Sequence, residues 1–169
     1  CPDFQSETFM SKTIALATSI QVLRNSDAVL LDETLVRQMV NLGIRKLHDA
    51  ASSHRGNGKY KGHSAWSKSA LSILIKNNDS MTGLTKYLSH EHVVPLKVLG
   101  DKIFITLKNT SILEYVDIIN QWSVVAIITR EEDLLFRTFK LSKGMPNDWD
   151  GKYVFARHRT VGLFEELIF

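Results

Sequence analysis

The spacing of apolar residues predicts that the first half of the chain is helical. In "LLDETLVRQMVNLGIRKLHDAA" apolar side chains recur every three or four positions, which places them on one stripe of an amphipathic helix. Asp32 is the expected N-cap, because its carboxylate can accept hydrogen bonds from the first backbone N–H groups. An earlier helix is predicted through "SKTIALATSIQVLR" and should end near Asn25. We interpret both helices as scaffold.

The second half mixes helical and strand patterns. Helices are predicted over "AWSKSALSILIKN", "LKVLGDKIFITL", "TSILEYVDIINQW" and "KYVFARHRTVGLFEEL". The continuous β-branched run "SVVAIIT" is typical of a buried strand. Thr129 followed by Glu132 fits a capping box, so another helix should begin near Arg130. These patterns predict an α+β protein, with a helical, basic region over residues 1–80 and the strands concentrated in residues 81–169.

Positive charge is concentrated in particular segments. The 169 residues carry a formal net charge of +3, and the sequence pI is about 9.0. No acidic residue occurs between Ala51 and Asn78, an interval with aromatic side chains and the basic residues Arg55, Lys59, Lys61, Lys68 and Lys76. Positive charge with aromatic rings is typical of a surface that binds a nucleic-acid backbone; the alternative is an ordinary solvated basic loop. Late in the chain, Arg157, His158 and Arg159 form a second cationic cluster, at least one member of which is a candidate nucleic-acid contact; the alternative is a solvated face.

The stretch "LSHEHVVPL" contains the candidate chemistry. In a regular strand His90 and His92 share one face and Glu91 lies on the other, a geometry that permits a His-x-His zinc pair. If the chain instead leaves the strand at Glu91–His92, both side chains can converge on one substrate atom. Pro95 indicates that the strand ends nearby. A carboxylate that holds Mg²⁺ and an imidazole that accepts a proton from water suit phosphodiester hydrolysis.

The segment "HEHVVPL" resembles the first signature of the HNH, or ββα-metal, endonucleases, in which an acidic residue precedes a histidine. The resemblance implies that Glu91 binds the metal and that His92 is the general base. The family's second half, a strand running into a helix, is similar to "SVVAIITREEDLLF". That similarity implies Asp133 as a second metal ligand, with Glu132 as the alternative. His90 is interpreted as a residue that orients the site.

The resemblance covers about Gly58 to Leu163. It implies that residues 81–169 form an HNH-like ββα-metal core with a C-terminal helix and with helices inserted between its strands. The implied activity is endonucleolytic hydrolysis of DNA with Mg²⁺ or Mn²⁺, and RNA stays an alternative substrate. The rival interpretations are a non-catalytic nucleic-acid-binding protein with the same fold, a zinc enzyme that uses His90 and His92, and a helical interaction protein.

The remaining composition bears on compartment. Cys1 is the only cysteine, which excludes an intrachain disulfide and a cysteine-built zinc knuckle. No apolar run approaches the roughly 20 residues that span a bilayer, and the first residues lack the pattern of a secretory signal. We therefore expect a cytoplasmic protein with no membrane partner. The start at Cys1 rather than methionine indicates a partial chain.

Overall fold

The computed structural model describes residues 4–26, 32–51, 60, 63, 65–80, 82–106 and 109–169. Within these ranges the chain forms seven α-helices and a small mixed sheet of four strands, which confirms the predicted α+β class. Within the interval from Ala51 to Asn78 that has no acidic residue, residues 52–64 lie outside the described part of the chain, apart from Tyr60 and His63.

The elements follow one another in a mixed order. The helices are α1 (Phe4–Asn25), α2 (Glu33–Ala51), α3 (Lys68–Lys76), α4 (Leu96–Ile105), α5 (Ile112–Trp122), α6 (Arg130–Thr138) and α7 (Ala156–Thr160). The strands are β1 (Ala65–Ser67), β2 (Leu88–His92), β3 (Val125–Thr129) and β4 (Leu167–Ile168). The strand order in the sheet is β2-β3-β1-β4. The β2–β3 and β1–β4 pairs are antiparallel, and the β1–β3 pair is parallel.

The chain divides into two compact units, each made of two separate stretches. The helical unit, residues 1–51 and 96–123, contains α1, α2, α4 and α5. The sheet unit, residues 52–95 and 124–169, contains the four strands with α3, α6 and α7. The chain crosses between units near residues 51, 95 and 123. The predicted assignment of separate roles to residues 1–80 and 81–169 stays a prediction.

The helical unit is organised around buried stripes. Val36, Val40 and Ile44 of α2 are buried at the predicted helical spacing. The backbone N–H of Leu35 donates to Asp32 Oδ1 at 2.9 Å, which confirms the predicted N-cap. Helix α1 packs against α2 and α5, and α2 packs against α4. These helices form where the sequence pattern predicts them.

The sheet unit has two covered faces, which the strand register defines. Glu91 pairs with Ala126, and His90 pairs with Ile127. Because neighbouring side chains in a strand point to opposite faces, these two pairs lie on different sides of the sheet. On the side of Ala126, the core includes Phe136 of α6, and we call this side the α6 face. On the side of Ile127, the core includes Ala70 of α3, and we call this side the α3 face.

The predicted helix over residues 65–77 begins too early. Residues 65–67 form β1, and the helix starts only at Lys68. Ala65 and Trp66 pair with β3, so tertiary strand pairing determines their conformation. The hydroxyl of Ser67 then caps α3 by accepting a hydrogen bond from the backbone N–H of Ala70 at 3.1 Å.

The predicted long C-terminal helix over residues 152–167 is wrong. Only α7 is α-helical in that segment, and it is followed by a 3₁₀ turn and by β4. Gly162 stops the helix with φ +76°, a left-handed conformation that glycine adopts without steric cost. The backbone N–H of Leu163 donates to the carbonyl of His158 at 2.8 Å, completing a Schellman-type helix end.

Candidate functional site

Glu91 lies on the α6 face of β2 and is 8% exposed. Its neighbours there include apolar side chains of β3 and α6, so its carboxylate is removed from bulk water. A buried charge is costly unless it has a partner of opposite charge or a metal ion. The surroundings of Glu91 therefore determine what this side chain can do.

Arg157 of α7 supplies that opposite charge. The guanidinium is 1% exposed, and its Nη2 donates to Glu91 Oε1. It also donates to three backbone carbonyl groups, those of His92 at 2.6 Å, Leu141 at 2.7 Å and Val93 at 3.1 Å. The planar fork of arginine suits several acceptors at once. Arg157 therefore joins the end of β2 to the segment that follows α6.

The second carboxylate oxygen of Glu91 has a different environment. Oε2 lies 3.4 Å from Nε2 of His158, whose side chain is 0% exposed. Within the described part of the chain, neither of these two atoms makes a hydrogen bond. The ring of His158 packs edge-on against Phe136, with the ring centroids 5.0 Å apart. Glu91 thus has one oxygen engaged by Arg157, and its second oxygen is buried beside His158.

Asp133 is electrostatically coupled to Glu91. It lies in the first turn of α6 and is partly buried. Burial raises the pKa of the Asp133 carboxyl, and the negative charge of Glu91 raises that pKa further. Three positive side chains lower the pKa and oppose these effects, namely Arg137, Arg157 and Arg130. The predicted metal ligands Glu91 and Asp133 therefore lie near enough to repel each other.

Glu132, the alternative ligand, has a structural role. Its Oε2 accepts hydrogen bonds from the backbone N–H of Thr129 at 2.7 Å and from the hydroxyl of Ser67 at 2.6 Å. The Thr129 hydroxyl accepts in return from the backbone N–H of Glu132, so the predicted capping box is confirmed. Glu132 thereby ties the start of α6 to β1.

His92 and His90 project from the α3 face, opposite to Glu91. His92 pairs with Val125, so β2 continues through His92 and the strand alternation is kept. The rings of His90 and His92 have centroids 5.8 Å apart. The structure therefore has the regular-strand arrangement, in which the two histidines share one face. Glu91 and His92 do not converge by leaving the strand between them.

The residues that were predicted to contact nucleic acid lie in different environments. Arg55, Lys59 and Lys61 lie outside the described residues. Lys68 is exposed, and its Nζ lies 3.2 Å from the carbonyl of Glu165 and 3.5 Å from Glu166 Oε2. Arg157 is an interior residue, as described above. Arg159 is exposed and stacks on Tyr153, with its Cζ 4.5 Å from the ring centroid.

Arg159 and Tyr153 line a surface pocket together with Trp149. Asp148 and Asp150 lie at the same pocket, so its lining combines aromatic rings with charges of both signs. By contrast, Tyr60 is buried in the core on the α3 face, where Trp66 packs against that core. Their aromatic rings therefore serve mainly the packing of the sheet.

Sequence reasoning missed the roles of His158 and His63. His158 was expected in a cationic surface cluster, but it is buried beside Glu91. His63 approaches His90, with their Nε2 atoms 3.0 Å apart. Neither contact has a local sequence signal, because the partners lie far apart in the chain and meet only through the sheet.

Glu91 and Asp133 carry carboxylate oxygens, the donor type that a hard divalent cation prefers. Among the described residues, no group of three or more His, Cys, Asp or Glu side chains is arranged to hold a metal ion. Mg²⁺, however, is commonly held by one or two carboxylates, with water and substrate phosphate completing its coordination. Glu91 Oε2, which is buried and makes no hydrogen bond within the described part of the chain, and the carboxylate of Asp133 are oxygen donors of that type.

No family model, curated protein or solved structure matches the chain. None of the described helices combines the length and the apolar character needed to cross a membrane.

Proposed function

We propose that the chain is a metal-dependent endonuclease of the HNH type that hydrolyses DNA phosphodiester bonds. The observation that carries the proposal is the raised pKa of Asp133, to which burial contributes most and the negative charge of Glu91 contributes second. Two carboxylates that repel each other favour a divalent cation between them, because the ion removes the repulsion.

The order of elements supports the proposal. Strand β2 is antiparallel to β3, and α6 follows β3 directly and packs against both strands. The resemblance to HNH endonucleases implies the same order of two strands followed by a helix. Helices α4 and α5 come between β2 and β3 in the chain, as the long separation of the two motif halves predicts.

In this proposal, Mg²⁺ or Mn²⁺ would be held by Glu91 Oε2 and Asp133, and the ion would supply charge stabilisation for the phosphoryl group. Arg157 has the role of fixing Glu91, since it engages Oε1 and leaves Oε2 for another contact. Asp133 stands in the first turn of α6 and would supply the second oxygen ligand.

His92 is the proposed general base. The unperturbed pKa of histidine, roughly 6.5, suits proton abstraction from water near neutral pH. His92 is the last residue of β2 and is only partly buried, but its side chain lies on the α3 face. The proposal therefore requires the scissile phosphate to lie across the end of β2, where groups from both faces can reach it.

The proposed DNA contacts come from basic side chains of the sheet unit. Arg159 can contact phosphate, and the rings of Trp149 and Tyr153 in the same pocket can stack on bases. Lys68 is a second exposed contact, and the predicted set is completed by Arg55, Lys59 and Lys61.

A non-catalytic nucleic-acid-binding protein is the second candidate. The buried pair of Arg157 and Glu91 favours it, because the guanidinium already neutralises the carboxylate that the nuclease would use. In that case the same basic side chains bind DNA and the bond is not broken.

Nicking of supercoiled plasmid DNA separates the two candidates. We expect the wild-type chain to nick the plasmid with Mg²⁺ or Mn²⁺. The His92→Ala variant should lose at least about a hundredfold in rate, the scale of a lost general acid–base step. Asp133→Asn removes a proposed metal ligand and should also lose activity, while DNA binding persists in both variants. Glu131→Gln is the matched control, since Glu131 is an exposed acid in the same helical turn. If the wild-type chain binds DNA but does not nick the plasmid with either ion, the nuclease proposal is wrong.

A further inference from the structure

The α3 face of the sheet holds three of the six histidines of the chain, namely His63, His90 and His92. The Nε2 atoms of His63 and His90 are 3.0 Å apart, and their ring centroids are 4.6 Å apart at an interplanar angle of 73°. The ring of His90 is in turn 5.8 Å from the ring of His92, centroid to centroid. The two Nε2 atoms therefore lie at hydrogen-bonding distance from each other on this face.

We propose that His63 and His90 bind a borderline divalent transition metal, with Zn²⁺ as the reference ion, through their two Nε2 atoms. Two nitrogens bound to one tetrahedral Zn²⁺ at about 2.0–2.1 Å lie roughly 3.3 Å apart. The observed separation of 3.0 Å is close to that value, and the ion would replace the hydrogen bond between the two rings. Imidazole is a preferred ligand of zinc, copper and nickel, whereas magnesium prefers oxygen.

Both histidines are anchored to the sheet, which preorganises the pair. His90 is the central residue of β2 and pairs with Ile127 of β3. The carbonyl of His63 accepts a hydrogen bond from Nε1 of Trp66 at 3.1 Å, and Trp66 pairs with the same Ile127 from the other side. The register of three strands thus sets the distance between the two rings, although 27 residues separate them in the chain.

This site is distinct from the carboxylate pair of the proposed nuclease. Glu91 and Asp133 belong to the α6 face, and the two histidines belong to the α3 face. The donor atoms also differ, since oxygen ligands favour Mg²⁺ and nitrogen ligands favour Zn²⁺. The inference therefore does not depend on the proposed function.

Titration calorimetry with Zn²⁺ tests the assignment, on metal-free protein and with excess Mg²⁺ to occupy oxygen sites. We expect one Zn²⁺ per chain, with binding at least about tenfold weaker in His63→Ala and in His90→Ala, the scale on which zinc sites respond to altered ligand surroundings. His54→Ala is the matched control and should bind as the wild type does. Zn²⁺ should also raise the melting temperature of the wild type and not that of either variant.

Two outcomes overturn the assignment. One is wild-type protein without a Zn²⁺ site, which would leave the two rings as a hydrogen-bonded pair. The other is full binding in His63→Ala together with loss in His92→Ala, which would place the ion at His90 and His92. A variant whose circular dichroism spectrum shows misfolding is replaced by the corresponding glutamine variant, which keeps a polar side chain. Mg²⁺-dependent nicking by His63→Ala shows separately whether the proposed nuclease site is intact.

Discussion

At the residue scale, the buried pair of Glu91 and Arg157 is the feature on which the candidate site depends. The guanidinium satisfies one carboxylate oxygen and three backbone carbonyl groups in an interior position. Its Cζ also lies 4.4 Å from the ring centroid of Phe136. A pair of this kind stabilises little relative to apolar packing, but the loss of one partner leaves the other charge buried and uncompensated.

We predict that Arg157→Ala lowers the free energy of unfolding by about 3–5 kcal/mol, the range for breaking a buried ion pair. Arg159→Ala is the control from the same helix, because Arg159 is exposed and its contact with Tyr153 is worth about 0.5–1 kcal/mol. Urea unfolding followed by circular dichroism measures both. A loss for Arg157→Ala no greater than that for Arg159→Ala would show that the buried pair does not hold this region together.

Asp133 should lower stability at neutral pH. Its pKa is raised in the folded protein, by burial first and by Glu91 second. The folded state therefore favours the protonated carboxyl. That stabilising contribution is complete below the unfolded-state pKa of about 3.9 and is lost as pH rises through the higher folded-state value.

Asp133→Asn should consequently raise the free energy of unfolding at neutral pH by less than about 1 kcal/mol, because the carboxyl is only partly buried and water screens its charge. Thermal unfolding at neutral pH and below the ordinary aspartate pKa measures the change. The difference in the free energy of unfolding between the variant and the wild type should be smaller at the acid pH. A variant that is less stable than the wild type at neutral pH would contradict the raised pKa.

The sequence identified the two adjacent residues Glu91 and His92 but not their relation in space. Adjacent residues converge only if the strand ends between them, and that depends on pairing with β3. The pairing of His92 with Val125 keeps the strand regular. Whether a strand ends at one residue or the next is therefore decided by a partner that lies far along the chain.

At the element scale, the helices with local capping signals were predictable. Each capping box lies within four consecutive residues, Ser111 to Glu114 for α5 and Thr129 to Glu132 for α6. The short strands were not predictable. β1 has three residues and β4 has two, and their conformation comes from pairing with each other and with β3. Short apolar runs of this kind carry helix and strand signals alike.

Glu132 provides a prediction at this scale. Glu132→Ala should lower the free energy of unfolding by about 1–2 kcal/mol, from the lost cap and the lost hydrogen bond to Ser67. Glu114→Ala removes the capping-box acid of α5 at an exposed position and should lower stability less. Urea unfolding compares the two variants. An equal or larger effect at Glu114 would mean that the contact between Glu132 and Ser67 contributes nothing.

At the scale of the whole molecule, the chain order and the unit boundaries do not coincide. Helices α4 and α5 interrupt the sheet unit between β2 and β3 and belong to the helical unit. Composition and periodicity describe consecutive residues, so they can indicate a basic, helical first half. They cannot show that each unit is built from two stretches that are separate in the chain. The proposed site is assembled inside one unit from β2, α6 and α7, over the interval from Glu91 to His158.

We propose that Glu91 and Asp133 share a divalent cation, and a crystal structure with bound Mn²⁺ would show where the ion lies. An anomalous difference map locates the ion independently of the protein coordinates. We predict a peak within bonding distance of Glu91 Oε2 and of the Asp133 carboxylate, with Arg157 still engaging Glu91 Oε1. A map with Mn²⁺ bound elsewhere, and with Glu91 contacting only Arg157 and His158, would contradict it.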